Sequence, residues 1–287
     1  MCSGGPMTVR IAIIGAGTMG RGIAQVSAIS GFSTTLFDVD PEALEAAREA
    51  IAVSVEKGIS RGKTPEEARD RITGLLSFHH DLAGAVAGSN WVIEAVPESV
   101  GLKREILQRA EEGAAAGAVL ASNTSSLSIT AIGEALDDPS RMIGMHFFNP
   151  VPVMGLVEVV PGEQTSDQVI DRAVELARGF GKEPIVVKDT PGFATSRLGV
   201  VLGLEAIRML EDGVAGAEEI DKAMELGYRH PMGPLRLTDL VGLDVRLAIA
   251  EHLHQELGER FRPPQLLRDL VAAGHTGRKA GQGFYRW

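Results

Sequence analysis

His146 and Glu158 stand twelve residues apart, on either side of the segment Phe147-Phe-Asn-Pro-Val-Pro-Val-Met-Gly155. The runs Arg141–His146 and Leu156–Val160 are apolar and β-type, and the Asn and Pro residues between them favour a reversal. Two strands joined by a loop would bring imidazole and carboxylate together near the end of a sheet. A carboxylate beside a histidine fixes its tautomer and stabilises the imidazolium formed when it accepts a proton. The two residues are therefore a candidate general base and its orienting acid. A second group, Gly15, Gly17 and Gly20, fits G-x-G-x-x-G directly after the apolar run Val9–Ile14. The first glycine permits the tight turn, the second lets the backbone approach a pyrophosphate, and the third lets helix pack on strand. The helix N-terminus then offers N–H groups to the anion. Asp38 closes the next β-type run eighteen residues after Gly20, where a carboxylate accepts from adenosine ribose hydroxyls and repels a 2′-phosphate. No arginine adjoins it, so NAD is favoured over NADP. The two groups together imply proton removal coupled to hydride transfer.

Other residues offer weaker chemistry. Glu94 ends the run Trp91–Ala95, where it either touches the nicotinamide ribose or is simply a polar strand end. Ala121-Ser-Asn-Thr-Ser-Ser-Leu127 is a hydroxyl-rich loop that can hold a substrate oxygen or cap the next helix. A Ser/His/carboxylate hydrolase lacks its Gly-x-Ser-x-Gly elbow around Ser125, and a nucleotide turn would be idle in one. His79 and His80 abut a turn without acidic or sulfur partners at metal spacing, and His252 and His254 point in different directions on a helix, so no metal site is expected. The stretch Lys57-Gly-Ile-Ser-Arg-Gly-Lys63, followed by Arg69 and Arg71, reads either as a solvated helical face or as a dock for an anionic phosphate.

The elements that must carry these residues follow from periodicity. Val9 to about Lys188 alternates apolar β runs with helical stretches: a helix from Thr18 to about Ser30, a strand Thr34–Asp38, a helix from Pro41 to Lys57, and further β runs at Ala118–Ala121 and Ile185–Val187. Thr64-Pro-Glu-Glu67 has the form of a capping box. This alternation predicts an α/β fold, a Rossmann-type, doubly wound, mostly parallel sheet over residues 7–188. The character changes at Asp189-Thr-Pro-Gly192. Helical candidates then follow at Phe193–Asp212, Ala217–Leu226, Leu237–Leu257 and Pro264–Ala273, with Gly213 and Gly227 as helix-ending residues. Residues 189–287 are thus expected to form an all-α domain, and so much apolar helical surface on so small a domain suggests burial against a second copy.

The chain of 287 residues is 44% hydrophobic and 23% charged, the composition of a globular protein, with a formal charge of −10 that argues against broad nucleic-acid binding. It has no uninterrupted apolar stretch of membrane-spanning length. Met1-Cys-Ser-Gly-Gly-Pro6 lacks the pattern of a signal peptide, and Met7 is an alternative start. The single cysteine, Cys2, excludes an internal disulfide and fits a reducing cytoplasm.

Taken together, these segments resemble the L-3-hydroxyacyl-CoA dehydrogenase family, particularly its short-chain bacterial 3-hydroxybutyryl-CoA members, from Val9 to Trp287. The likeness is carried by Ile13-Ile-Gly-Ala-Gly-Thr-Met-Gly-Arg-Gly-Ile23, Ser122-Asn-Thr-Ser-Ser126, His146-Phe-Phe-Asn-Pro-Val-Pro-Val-Met154, Asp189-Thr-Pro-Gly-Phe193, Pro231-Met-Gly-Pro234 with Asp239 and Gly242-Leu-Asp244, and Gly277-Arg-Lys-Ala-Gly-Gln-Gly-Phe-Tyr285. The resemblance implies an NAD domain, a helical domain that mediates homodimerisation, and an active site in the cleft between them. It implies reversible oxidation of an (S)-3-hydroxyacyl-CoA to the 3-ketoacyl thioester, with His146 as base, Glu158 as orienting acid and Ser125 holding the 3-oxygen. It assigns Thr18, Met19, Glu94, Lys103, Asn123 and Asn149 to the cofactor together with the glycine turn and Asp38. Ser54, Lys57 and Lys63 fall where the family grips coenzyme A. In Pro191-Gly-Phe-Ala-Thr-Ser-Arg197 the family's asparagine before the arginine is replaced by Ser196, whose shorter hydroxyl makes fewer bonds to substrate. That substitution could weaken turnover or mark a branched, aromatic-derived or carboxylated acyl chain. Gly155 also departs from a commonly basic position. Two other readings stay open: a dehydrogenase of a free 3-hydroxy acid, such as a sugar acid, and a non-catalytic NAD-binding protein of the lens-crystallin kind.

Overall fold

The computed structural model describes residues 9–287, so Cys2, Met7 and the start of the first expected domain lie outside the described residues. The described residues divide into two compact units that meet between Asp189 and Thr190.

The first unit is built on one sheet of β1 (Arg10–Ile14), β2 (Ser33–Phe37), β3 (Leu76–His79), β4 (Trp91–Glu94), β5 (Val119–Ser122), β6 (Met142–Phe147), β7 (Leu156–Pro161) and β8 (Glu183–Val186). Their order is β3-β2-β1-β4-β5-β6-β7-β8. The first six run parallel, and β7 and β8 run opposite to them. Every residue of β4, β5 and β6 is buried, as a sheet covered on both faces requires. The covering helices are α1 (Thr18–Ile29), α2 (Pro41–Ser60), α3 (Ala68–Leu75), α4 (Leu82–Val86), α5 (Val100–Gly113), α6 (Ile129–Gly133) and α7 (Asp167–Gly179). The strand order reverses between β1 and β4, which leaves a crevice beyond their carboxyl ends, where ligands of such sheets bind.

Two local expectations need correction. The run Leu76-Ser-Phe-His79 forms an unforeseen strand; it is short and pairs only with β2, and His79 lies exposed at its end. The capping box at Thr64 does not form. Pro65–Glu67 makes a turn before α3 begins at Ala68, and Thr64 packs over Gly58 instead.

The second unit consists of α8 (Thr195–Glu211), α9 (Ala217–Gly227), α10 (Pro234–Val241), α11 (Leu243–Leu257) and α12 (Gln265–Ala272), closed over Val200, Leu204, Ile207, Leu235, Leu253 and Leu267. The expected single helix over Leu237–Leu257 is two. Its apolar period runs on across Gly242, but that residue adopts φ 103°, where a helix cannot continue. Gly227 is the last residue of α9, where the sequence placed a helix end, and Tyr228 follows as its C-cap. The C-terminal tail folds back onto α10. The buried Asp239 carboxylate accepts from the backbone N–H groups of Phe284 and Tyr285 and from Trp287 Nε1. A side chain at Gly283 would collide with that carboxylate, which explains one glycine of the C-terminal motif.

Candidate active site

The turn from β1 into α1 is shaped by what its glycines lack. Gly15 sits at φ 101°, and a Cβ there would lie 2.9 Å from Ala95 O; at Gly20 it would lie 1.7 Å from Gly15 O. A Cβ at Gly17 would meet nothing within 4 Å, so this residue opens the turn outward. No side chain caps α1 at Gly17, which leaves the helix N-terminus to an anion. Asp38 follows β2, and its Oδ2 accepts from Ala16 N at 2.8 Å while Oδ1 accepts from Asp40 N at 3.1 Å. The acid is thereby fixed beside the turn and remains half-exposed. Met19 is partly buried against the core, and Thr18 is exposed at the rim. Open space over Gly17, an uncapped helix start and an adjacent acid fit a dinucleotide with unphosphorylated ribose.

β6 and β7 place His146 and Glu158 directly opposite each other in antiparallel register. Nδ1 of His146 lies 2.7 Å from Glu158 Oε2; Glu158 is completely buried and His146 nearly so. With the carboxylate accepting from Nδ1–H, Nε2 is the nitrogen able to take a proton. Phe148 packs on the imidazole, with ring centroids 4.4 Å apart. The connecting loop is fastened by a residue that sequence reasoning missed. Lys182, buried, donates from Nζ to Val151 O at 2.6 Å and Met154 O at 2.8 Å, and burial pushes its ammonium pKa down. The same loop rests on α1, where the missing side chain of Gly22 admits Val151. A groove of about 170 Å³ there is lined by Thr18, Ser54 and Asn149, among others.

The hydroxyl-rich loop after β5 is held from two sides. Asn123 Oδ1 accepts from Phe147 N at 2.9 Å and ties the loop to the end of β6. Glu98, also missed, accepts at Oε1 from Thr124 Oγ1 at 2.5 Å and Ser125 N at 3.1 Å, with Ser125 Oγ at 3.5 Å. The only sequence signal for Glu98 was an acid in the loop past β4, where Glu94 drew attention instead. Glu94 and Lys103, both expected at the cofactor, are paired with each other. Lys103 Nζ lies 3.0 Å from both Glu94 carboxylate oxygens, and both side chains are sealed from solvent. Burial pushes the Glu94 carboxyl pKa up, while Lys103 and the donating Ser122 hydroxyl pull it down. Lys103 also reaches Glu98, the acid that holds the loop of Ser125, at 3.3 Å.

The basic stretch is partly committed. Arg69 pairs with Glu56 through two hydrogen bonds, and Arg71 caps the end of α1 at Ile29 O. Lys57 and Lys63 remain exposed on and after α2, outside the groove that Ser54 lines. Ser196 lies half-buried in the first turn of α8, in the second unit. Among the described residues no three His, Cys, Asp or Glu side chains gather as metal ligands, and no helix is long and apolar enough to cross a membrane.

Comparison with known proteins bears on this geometry. Residues 10–190 match the model of the 3-hydroxyacyl-CoA dehydrogenase NAD binding domain, and residues 192–287 match that of the 3-hydroxyacyl-CoA dehydrogenase C-terminal domain. The chain is 44% identical over 281 residues to a 3-hydroxybutyryl-CoA dehydrogenase of Mycobacterium tuberculosis, covering 97% of this chain and 98% of that one. It is also similar to the crystal structure of an (S)-3-hydroxybutyryl-CoA dehydrogenase from Ralstonia eutropha. That likeness has a TM-score of 0.92 and 40% identity, and it covers 97% of this chain and 98% of the other.

Proposed function

The chain belongs to the 3-hydroxyacyl-CoA dehydrogenase family, and on that premise we propose that it interconverts short-chain (S)-3-hydroxyacyl-CoA and 3-ketoacyl-CoA with NAD, using His146 as general base. The observation that carries this reading is the buried His146–Glu158 pair, set by strand register with Nδ1 2.7 Å from the carboxylate. His146 Nε2 takes the proton of the substrate 3-hydroxyl. Glu158 holds the ring in the required tautomer and stabilises the imidazolium. Ser125, on the loop anchored by Glu98 and Asn123, donates to the 3-oxygen, and Ser196 meets the substrate from α8. Gly15, Gly17 and Gly20 with Asp38 would hold NAD, which would supply the hydride acceptor for C3 when bound. Lys57 and Lys63 offer charge to the phosphates of coenzyme A.

Two further points belong to the same proposal. The protein works as a homodimer through its second unit, supported by the partly exposed Leu237, Leu240, Val241 and Val245 of α10 and α11. A cytoplasmic setting suits its cysteine usage.

The test is nicotinamide absorbance with acetoacetyl-CoA, using NADH and NADPH in parallel, and with free acetoacetate as control. Rapid oxidation of NADH only with the thioester is expected. Equal turnover of the free acid would make it a dehydrogenase of free 3-hydroxy acids, and tight NADH binding without turnover of any acyl thioester would leave a non-catalytic NAD-binding protein.

A further inference from the structure

Arg21 closes the first turn of α1, at the positive end of the helix dipole, where a cation is disfavoured unless an anion lies close. Its guanidinium is half-buried and makes no hydrogen bond, ion pair or ring contact among the described residues. One turn further along, Gln25 is 4% exposed, and its amide has no hydrogen-bond partner among them either. That amide is not sealed, because it opens into the groove of about 170 Å³ that both residues line. An unmatched polar group is costly to bury, so an amide held this way waits for a ligand atom or a water to complete it.

Arg21 and Gln25 are four residues apart and share one face of α1. Ser54 of α2 and Asn149 of the loop after β6 also line the groove, with Thr18 at its rim. Val151 closes the wall on the loop side by packing where Gly22 has no side chain. The polar lining is therefore one guanidinium, two hydroxyls and two amides, without a carboxylate. Every one of these groups can donate a hydrogen bond, which suits an oxyanion and not a cation. Pockets for whole drug-sized ligands start at about 300 Å³, so this groove takes a group and not a molecule. Ser54 and Lys57 lie three apart on α2, so the line of donors continues out of the groove to an exposed ammonium. All these residues belong to the first unit, as does His146.

We propose that Arg21 and Gln25 bind the diphosphate of the coenzyme A thioester, and thereby select coenzyme A over thioesters that lack phosphate. The proposal rests on the reading given under Proposed function, in which the thioester reacts at His146. The guanidinium fork takes two phosphoryl oxygens, and the Gln25 amide and Ser54 hydroxyl donate to others. The 3′-phosphate is left to the exposed Lys57 and Lys63, and the dinucleotide to the glycine turn that precedes Arg21. Nothing changes at C3; the diphosphate only binds.

The experiment compares acetoacetyl-CoA, acetoacetyl-dephospho-CoA, which lacks only the 3′-phosphate, and acetoacetyl-pantetheine, which has no phosphate. Their kcat/KM values are measured in the wild type, Arg21→Met, Arg21→Lys and Gln25→Leu. The initial slope gives kcat/KM even where the pantetheine thioester does not saturate. The wild type is expected to favour both thioesters that carry the diphosphate. In Arg21→Met that preference should fall roughly ten- to hundredfold, the worth of a charge-assisted hydrogen bond, and in Arg21→Lys it should fall less. Gln25→Leu should lower it several-fold, as the loss of a neutral hydrogen bond does. The KM for NADH and the Tm of Arg21→Met should hold, since the lost charge had no partner. A wild type without the preference overturns the proposal, and so does an unchanged preference in Arg21→Met. An equal fall with all three thioesters and a lower Tm would make Arg21 structural and overturn it too. A loss that spares the dephospho thioester would move the contact to the 3′-phosphate, and a raised KM for NADH alone would assign the anion to the dinucleotide; either outcome refutes the diphosphate grip. Failure of the wild type to oxidise NADH with any of the three would instead remove the dehydrogenase reading itself.

Discussion

At the scale of single residues, the proposed chemistry moves one proton at His146 Nε2 while Glu158 orients the ring through Nδ1. His146→Ala should lower kcat by roughly a hundred- to ten-thousandfold, with a milder effect on NADH affinity measured by fluorescence titration. Glu158→Gln tests the orienting role, since an amide can present its NH₂ to Nδ1 and stabilise the unproductive tautomer. A loss of comparable order is expected in kcat, and activity near the wild-type level in either variant would remove the pair from the mechanism. Asp38→Asn keeps the oxygen that accepts from Ala16 N but removes the charge. The preference for NADH over NADPH should narrow by roughly tenfold, the scale of one like-charge repulsion in a partly solvated site. An unaltered ratio of the two kcat/KM values would mean that another group excludes the 2′-phosphate. The meeting of His146 and Glu158 was legible because two β-type runs and a reversal leave few registers. Glu94 and Lys103 were not, because a charged residue at a strand end or in a helix says nothing of whether a partner of opposite sign waits underneath.

At the scale of elements, the parallel sheet and its glycine turn could be read from alternating apolar runs and helical stretches, whose periods differ plainly. What escaped was structure with no periodic signature. β3 is four residues directly after a helix, and its burial pattern is too short to count. The break at Gly242 interrupts a helical period that continues on both sides, so only the backbone conformation reveals it. The Thr64 cap failed because Thr64 lies against Gly58, and the chain entered α3 through a turn. Lys182 is a case of the same kind, a lone cation at the start of β8 that buries itself to hold the loop between β6 and β7. Lys182→Met should leave two loop carbonyls without their donor and cost about 1–3 kcal/mol, read as a lower denaturation midpoint. Because Asn149 and Val151 sit on that loop against α1, the KM for NADH should rise more than kcat falls. A change in kcat with KM and stability intact would contradict this positioning role.

At the scale of the whole molecule, two charges must be reconciled. The chain carries a net −10, yet both NAD and a coenzyme A thioester are anions. Long-range repulsion is screened within about 8–10 Å at ordinary salt, so on the proposed reading exposed local groups such as Lys57 and Lys63 decide coenzyme A binding. Their joint replacement by Glu should raise the KM for acetoacetyl-CoA several-fold and leave the KM for NADH nearly unchanged. The second unit raises a different issue. Leu237, Leu240, Val241 and Val245 are each 36–42% exposed, and they cluster at the end of α10 and the start of α11. Isolated exposed apolar residues are common, but a group on adjoining turns behaves as a patch that water solvates poorly. If a second copy covers it, light scattering should give twice the 30.4 kDa of one chain. Leu240→Glu would then place a charge at the centre of a buried surface. Its scattering mass should fall to that of one chain at micromolar concentration, while its circular dichroism stays unchanged. A wild type that scatters as a single chain would reject the dimer outright. A Leu240→Glu variant that remains double the mass would move the interface to another face of the helical unit.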